Sequence, residues 1–214
     1  MSLKQRLARV VERLTNTHIF RMLPQGVNVF SDLQLHLPSY RCSLVLDVGA
    51  NVGQSALLFR QNFPHSTIYC FEPVTENFQL LTANTRHLSN VLCSQVALGR
   101  SKGMGRMSAQ RGTMSQLQVA DTNGQLPTTT DVMVDTVDDY CAEKKIERID
   151  YLKIDTEGHD LAVLEGAKSM LVNQQIGLIE VEVGMNPHNT RHVPFHQIQT
   201  FLEGHQYFLF GIYE

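Results

Sequence analysis

From Ser43 onward, short apolar runs alternate with amphipathic stretches, and only a few residues separate one from the next. LVLDVG (44–49), TIYCFEP (67–73), NVLCSQVAL (90–98), IDYLKID (149–155), IGLIEVEVG (176–184) and HQYFLFGIY (205–213) read as six strands. NVGQSALLFRQNF, VTENFQLLTANTRHL, DTVDDYCAEKK, HDLAVLEGAKSML and PFHQIQTFLEG read as the intervening helices. Strands joined through helices over short connections pair in parallel, so the expected fold is α/β, with a mostly parallel, doubly wound sheet. Strands one to three should step outward in one direction and strands four and five in the other. Ligands of such sheets bind where the order reverses, here between the first and fourth strands.

Residues 1–42 stand apart from this rhythm. They carry net charge +4 against −7 for the rest of the chain. Leu3, Leu7, Val10, Val11 and Leu14 recur at helical spacing, which predicts an amphipathic helix packed on the domain. The segment lacks the continuous apolar stretch of a secretory signal. A second short helix is expected between Thr15 and Tyr40. Residues 43–214 then form one domain, interrupted by an insertion at about 99–130 that is rich in Gly, Ser, Thr, Gln and Met. A connection of that length is either partly stranded or a functional lid. Arg100, Lys102, Arg106 and Arg111, with Met104, Met107 and Met114, would suit an acceptor that is part anionic and part apolar.

Composition removes several classes. A length of 214 residues with 43% hydrophobic content fits one packed domain, and 18% charged residues argue against disorder. A net charge of −3 and a pI near 6.3 argue against a nucleic-acid partner. No apolar run reaches the roughly 18 residues of a membrane span. Cys42, Cys70, Cys93 and Cys141 lie far apart with no CxxC pair, and read as buried, reduced thiols of a cytoplasmic protein.

The first strand-to-helix turn reads Asp47-Val48-Gly49-Ala50-Asn51-Val52-Gly53. Glycines there let the backbone approach a ligand, and the following helix offers N–H groups to negative charge. A dinucleotide fingerprint would need glycine where Asn51 and Gln54 stand, so a nicotinamide cofactor is not expected. Glu72 ends the second strand about twenty residues beyond the turn, where a carboxylate can accept from both hydroxyls of a ribose.

The ordered set DVGANVGQS, FEP, VALG, TVDDYC, LKIDTEGHDLAVLEGA and IEVE, running from about Ser43 to Glu203, resembles the FkbM family of methyltransferases. The resemblance implies a Rossmann-like class I methyltransferase fold, S-adenosylmethionine as donor with S-adenosylhomocysteine as product, and O-methylation of a hydroxyl on a sugar, polyketide or other small metabolite. Carried onto this chain, it places Gly49, Asn51 and Gly53 beneath the methionine part of the donor and Ser55 near its carboxylate. Asp47 sits under the donor's amino group or steadies the loop. Glu72 takes the ribose, Val96 and Ala97 flank adenine, and Asp155 faces the ammonium and sulfonium region. Folds of this class usually end with a seventh, antiparallel strand, for which no segment is read here, so either the sheet is short or the sequence is part of a longer protein. The sixth strand should then pair directly with the fifth, or a second copy should fill the gap and give a homodimer.

A hydroxyl acceptor benefits from a general base, and His159 is the first candidate because imidazole titrates near neutrality. Glu157, Asp155 and Glu182 are the other groups near the strand ends. His188, His192 and His196 recur every four residues, but Pro187 and Pro194 interrupt any single helix, so no histidine metal site is expected. A divalent cation held by Asp155 and Glu182 is a separate arrangement, not favoured over a metal-free site. Two other functions stay open: a donor-binding domain without catalysis, and a methyltransferase of RNA or protein. The overall acidity and the missing N/D-P-P-Y-type tetrapeptide weigh against the latter.

Overall fold

The computed structural model describes residues 11, 14–15, 23–108, 129–186 and 188–213. They divide into two compact units, residues 41–208 and a smaller one made from residues 1–40 and 209–214. The smaller unit holds helix α1 (Val29–His36), capped where the Asn28 side chain accepts from Ser31 N at 2.9 Å. Buried Asp32 accepts from Gly26 N at 2.7 Å and from the Tyr213 hydroxyl at 3.1 Å, tying the last described residues to this helix. The helix expected over residues 3–14 lies almost wholly outside the described residues. Of its apolar positions Val11 and Leu14 are described, and both are exposed.

The larger unit carries a five-stranded sheet built from β1 (Leu44–Val48), β2 (Thr67–Phe71), β3 (Val91–Ser94), β7 (Ile149–Ile154) and β8 (Ile176–Val181). Its order is β3-β2-β1-β7-β8 with every pair parallel. The order reverses between β1 and β7, as the alternation predicted. Helices α2 (Gln54–Asn62), α3 (Thr75–Thr85), α4 (Val137–Lys144), α5 (Asp160–Glu165), α6 (Lys168–Val172) and α7 (Phe195–Glu203) make the connections. Side chains alternate between the faces of each strand. Leu46, Val48, Leu152, Ile154 and Phe71 pack with Tyr140, Val163, Leu164 and Leu171, whereas Tyr151 turns to Phe59 of α2, ring centroids 4.9 Å apart.

Three expected elements came out differently. The third strand is two: β3 joins the main sheet, and β4 (Ala97–Leu98) leaves it for a second, three-stranded sheet. There β6 (Thr129–Asp135) pairs antiparallel with β5 (Gly103–Ser108), so the insertion is stranded at both ends. Its residues 109–128, with Arg111 and Met114, lie outside the described residues. The helix expected over HDLAVLEGAKSML breaks between α5 and α6 because Gly166 sits against the Gly99 backbone, and an added Cβ would come 2.0 Å from Gly99 O.

The sixth strand is absent, since residues 205–213 hold no ladder. Tyr207 reaches the β8 start through its hydroxyl, donating to Ile176 O at 2.9 Å, while Phe208 stands 78% exposed. Direct pairing of a sixth strand with the fifth does not occur. Among the described residues, no strand lies beyond β8. The cysteines are free, but only Cys70 and Cys141 are buried, whereas Cys42 and Cys93 are partly exposed.

Candidate functional site

Asp47 begins the site from below. It lies in the buried stretch of β1, and the turn after that strand must cross the end of β7 at close range. A Cβ on Gly49 would lie 1.9 Å from Asp155 O, and Gly49 has φ 84°, so only glycine fits. Gly49 N and Ala50 N both donate to Phe71 O at 3.0 Å, locking the turn to β2. Asn51 follows with φ 48°, and Gly53, with φ 95°, opens α2. Gln54 and Ser55 present the helix start to a cavity of about 410 Å³.

Glu72 closes the turn from the β2 side. Its carboxylate, 5% exposed, accepts from Asn51 N at 3.0 Å and Val74 N at 2.9 Å. Burial raises its pKa, and those N–H donors oppose the rise. One group therefore pins two turns while its remaining lone pairs border the cavity.

Gly49, Asn51, Ser55, Glu72, Val96, Ala97, Asp155, Glu157 and His159 all line that cavity. Asp47 and Gly53 are absent from its lining. Asp47 is fully buried and accepts from the Ser55 hydroxyl at 2.5 Å, which fits the loop-steadying alternative. Burial pushes its pKa up to about 6, against the pull of Lys153 and of Ser55. Its Oδ1 has no hydrogen-bond partner among the described residues. Gly53 supports the loop from behind, where a Cβ would press within 3.0 Å of Leu81.

At the β7 end, Lys153 Nζ lies 2.8 Å from Asp155 Oδ2. Burial alone would lower the Lys153 ammonium, but Asp47 and Asp155 outweigh it and hold it above its usual value. Burial likewise raises Asp155, yet Lys153 and a hydrogen bond with Glu182 bring it below the usual carboxylate range. Glu182 moves the other way, pushed up to about 7 by burial and by Asp155. His159 stands at the start of α5 without a capping bond from its side chain. Asp160 does the bracing there, accepting from Thr156 N at 2.9 Å and Gly158 N at 3.2 Å.

Sequence reasoning missed Lys153, Gln54, Asn77 and Thr156, which also border the cavity. Lys153 left one signal, a lysine set between Leu152 and Ile154 in the apolar end of a central strand. Among the insertion's described groups only Met107 lines the cavity, while Met104 is 70% exposed. Arg100, Lys102 and Arg106 pair with Glu165, Asp135 and Asp131, so the anionic-acceptor reading loses its described cations. The three histidines do not converge. His192 instead joins Glu157 and Glu182, whose ligand atoms and its own lie within 4.8 Å of one another.

The family profile described as "Methyltransferase FkbM domain" matches residues 47–209. Among curated proteins, Methyltransferase 1 of Beauveria bassiana is 29% identical, with 58% of each chain covered. Hexuronic acid methyltransferase AglP of Haloferax volcanii is 24% identical over 66% of this chain and 56% of that one. 2-O-methyltransferase NoeI of Sinorhizobium fredii is 25% identical over 60% and 58%. The chain thus spans under three fifths of the length of these relatives.

Proposed function

Because the chain belongs to the FkbM methyltransferase family, we propose that its cavity binds S-adenosylmethionine and passes the methyl group to a hydroxyl of a sugar, polyketide or similar small metabolite. The observation that carries this is the Glu72 clamp. A buried carboxylate just after β2, beside the switch point and already holding Asn51 and Val74, borders the space where a ribose would lie. Val96, Ala97, Phe71 and Met107 supply an apolar wall for adenine. Asp155 and Glu157 would face the ammonium and sulfonium end. AglP and NoeI are, by name, a hexuronic acid methyltransferase and a 2-O-methyltransferase, and this supports a sugar hydroxyl as first choice.

The donor supplies an activated methyl on a sulfonium. An acceptor oxygen attacks that carbon in line, the C–O bond forms as the C–S bond breaks, and the hydroxyl proton passes to a base. S-adenosylhomocysteine and a methyl ether result. This chain's part is alignment, which contributes about 7–11 kcal/mol in favourable cases, and proton removal, which we assign to His159 with Glu157 beside it. The free cysteines suit a reducing compartment, and we place the reaction in the cytoplasm.

Radiolabelled donor incubated with pooled sugars, polyketides, RNA and protein tests the reading. Label in a small hydroxyl compound is expected. Label in RNA or protein alone would replace the acceptor class. Donor binding with no transfer to any pool would favour a binding domain.

A further inference from the structure

Just beyond the ends of β7 and β8, three separate segments bring metal-ligating atoms together. Glu157 follows β7 in left-handed backbone, φ 54°; Glu182 follows β8; and His192 arrives on the loop before α7. One atom from each lies within 4.8 Å of the others. Two of these atoms are buried without a hydrogen bond, each beside a charged group. His192 Nδ1 is sealed from solvent 3.2 Å from Glu182 Oε2, yet makes no hydrogen bond. Glu157 Oε2 is also buried without a hydrogen bond, although Arg191 Nε stands 2.5 Å away. Buried polar atoms left this way in a native fold point to a missing partner, commonly a water or an ion.

The loop holding the imidazole is fixed rather than loosely placed. Asn189 Oδ1 accepts from Arg191 N at 2.8 Å and His192 N at 3.1 Å. Gly184 N donates to Val193 O at 2.8 Å, joining the loop to the end of β8. On the other side, a Cβ at Gly158 would come 2.3 Å from Arg191 O, so the two loops meet backbone to backbone.

We propose that Glu157, Glu182 and His192 form a binding site for a first-row divalent cation of the Mn²⁺ type at the acceptor end of the cavity. An imidazole beside two carboxylates suits such ions, whereas magnesium and calcium prefer all-oxygen sets. Ligands on opposite sides of a small ion stand roughly 4.2 Å apart, so slight side-chain rotations close the three atoms around it. Arg191, whose side chain is 60% exposed, is the cation that shields Glu157 when no ion is there, and it can swing away. Three protein ligands leave positions open, and a hydroxyl entering one would be polarised and more readily deprotonated. That last role rests on the methyl-transfer reading; the binding of the ion does not.

Titrating Mn²⁺ into the whole chain, with free ion followed by electron paramagnetic resonance and S-adenosylhomocysteine affinity measured in parallel, tests the site. One ion per chain is expected. Glu182→Gln and His192→Ala should each weaken Mn²⁺ by roughly tenfold or more while S-adenosylhomocysteine binds as before, which also shows that the variants fold. Arg191→Met should bind Mn²⁺ at least as tightly as the natural chain. Binding of the nucleoside without Mn²⁺, or Mn²⁺ affinity unchanged in both ligand variants, would overturn the proposal. Mn²⁺ binding without the nucleoside would support the ion site and overturn the donor reading instead.

Discussion

His159 stands at the start of α5, but the work of bracing that helix start falls to Asp160. The imidazole borders the cavity instead. His159→Ala should therefore lower turnover by roughly 10²–10⁴-fold, the usual worth of a general base, while S-adenosylhomocysteine affinity stays close to the natural value. Steady-state kinetics beside calorimetry checks this, and equal turnover would remove the base role from His159. Asp47 makes a prediction of the opposite kind, about stability. Its pKa rises from 3.8 to about 6 on burial, so the unfolded chain loses this proton first as pH increases. The folded state binds more protons between those values, and stability falls as pH rises through that window, by on the order of 3 kcal/mol. Asp47→Asn has no such loss. Its stability relative to the natural chain should climb from pH 4 to pH 7 in urea unfolding, and a difference independent of pH would contradict the assignment. Residues such as Glu72 and Gly49 were legible because spacing along the sequence places them at strand ends. Lys153 was not, because its role comes from Asp47 and Asp155 on either side of it in space.

Elements whose pairing is fixed by continuous apolar runs were readable in order and direction. β1 and β7 are buried on both faces, and such strands admit few alternatives. What failed were the joints. Ser94 and Ala97 are three residues apart, but they belong to different sheets, because β4 pairs with β6, more than thirty residues later in the chain. The break between α5 and α6 depends on the Gly99 backbone, which no helical periodicity encodes. Residues 205–213 had the composition of a strand without a ladder to join. The glycine turn carries the clearest prediction at this scale. Gly49→Ala would force φ 84° on a residue with a Cβ and drive it to 1.9 Å from Asp155 O. A loss of more than roughly 2 kcal/mol in unfolding free energy is expected, together with weaker nucleoside binding, because β1 and β7 must move apart. A fully stable alanine variant would show that the turn is not held as described.

At the scale of the molecule, the far side of β8 carries no strand among the described residues. Beyond the Tyr207 hydroxyl at Ile176 O, a parallel edge without a partner strand is prone to pair with another chain. A second copy joined there would give twice the 24.2 kDa of one chain in light scattering. Single chains in the unaltered protein would rule the homodimer out. The central claim, that the cavity at the switch point is a donor site anchored by Glu72, is tested most directly by calorimetry. S-adenosylhomocysteine titrated into the whole chain should bind in the micromolar range, about −8 kcal/mol. Glu72→Ala removes charge-assisted hydrogen bonds worth about 1.5–3 kcal/mol each, so its affinity should fall roughly ten- to a hundredfold or more. NADH binding in place of S-adenosylhomocysteine, or nucleoside affinity unchanged in the Glu72 variant, would contradict the account.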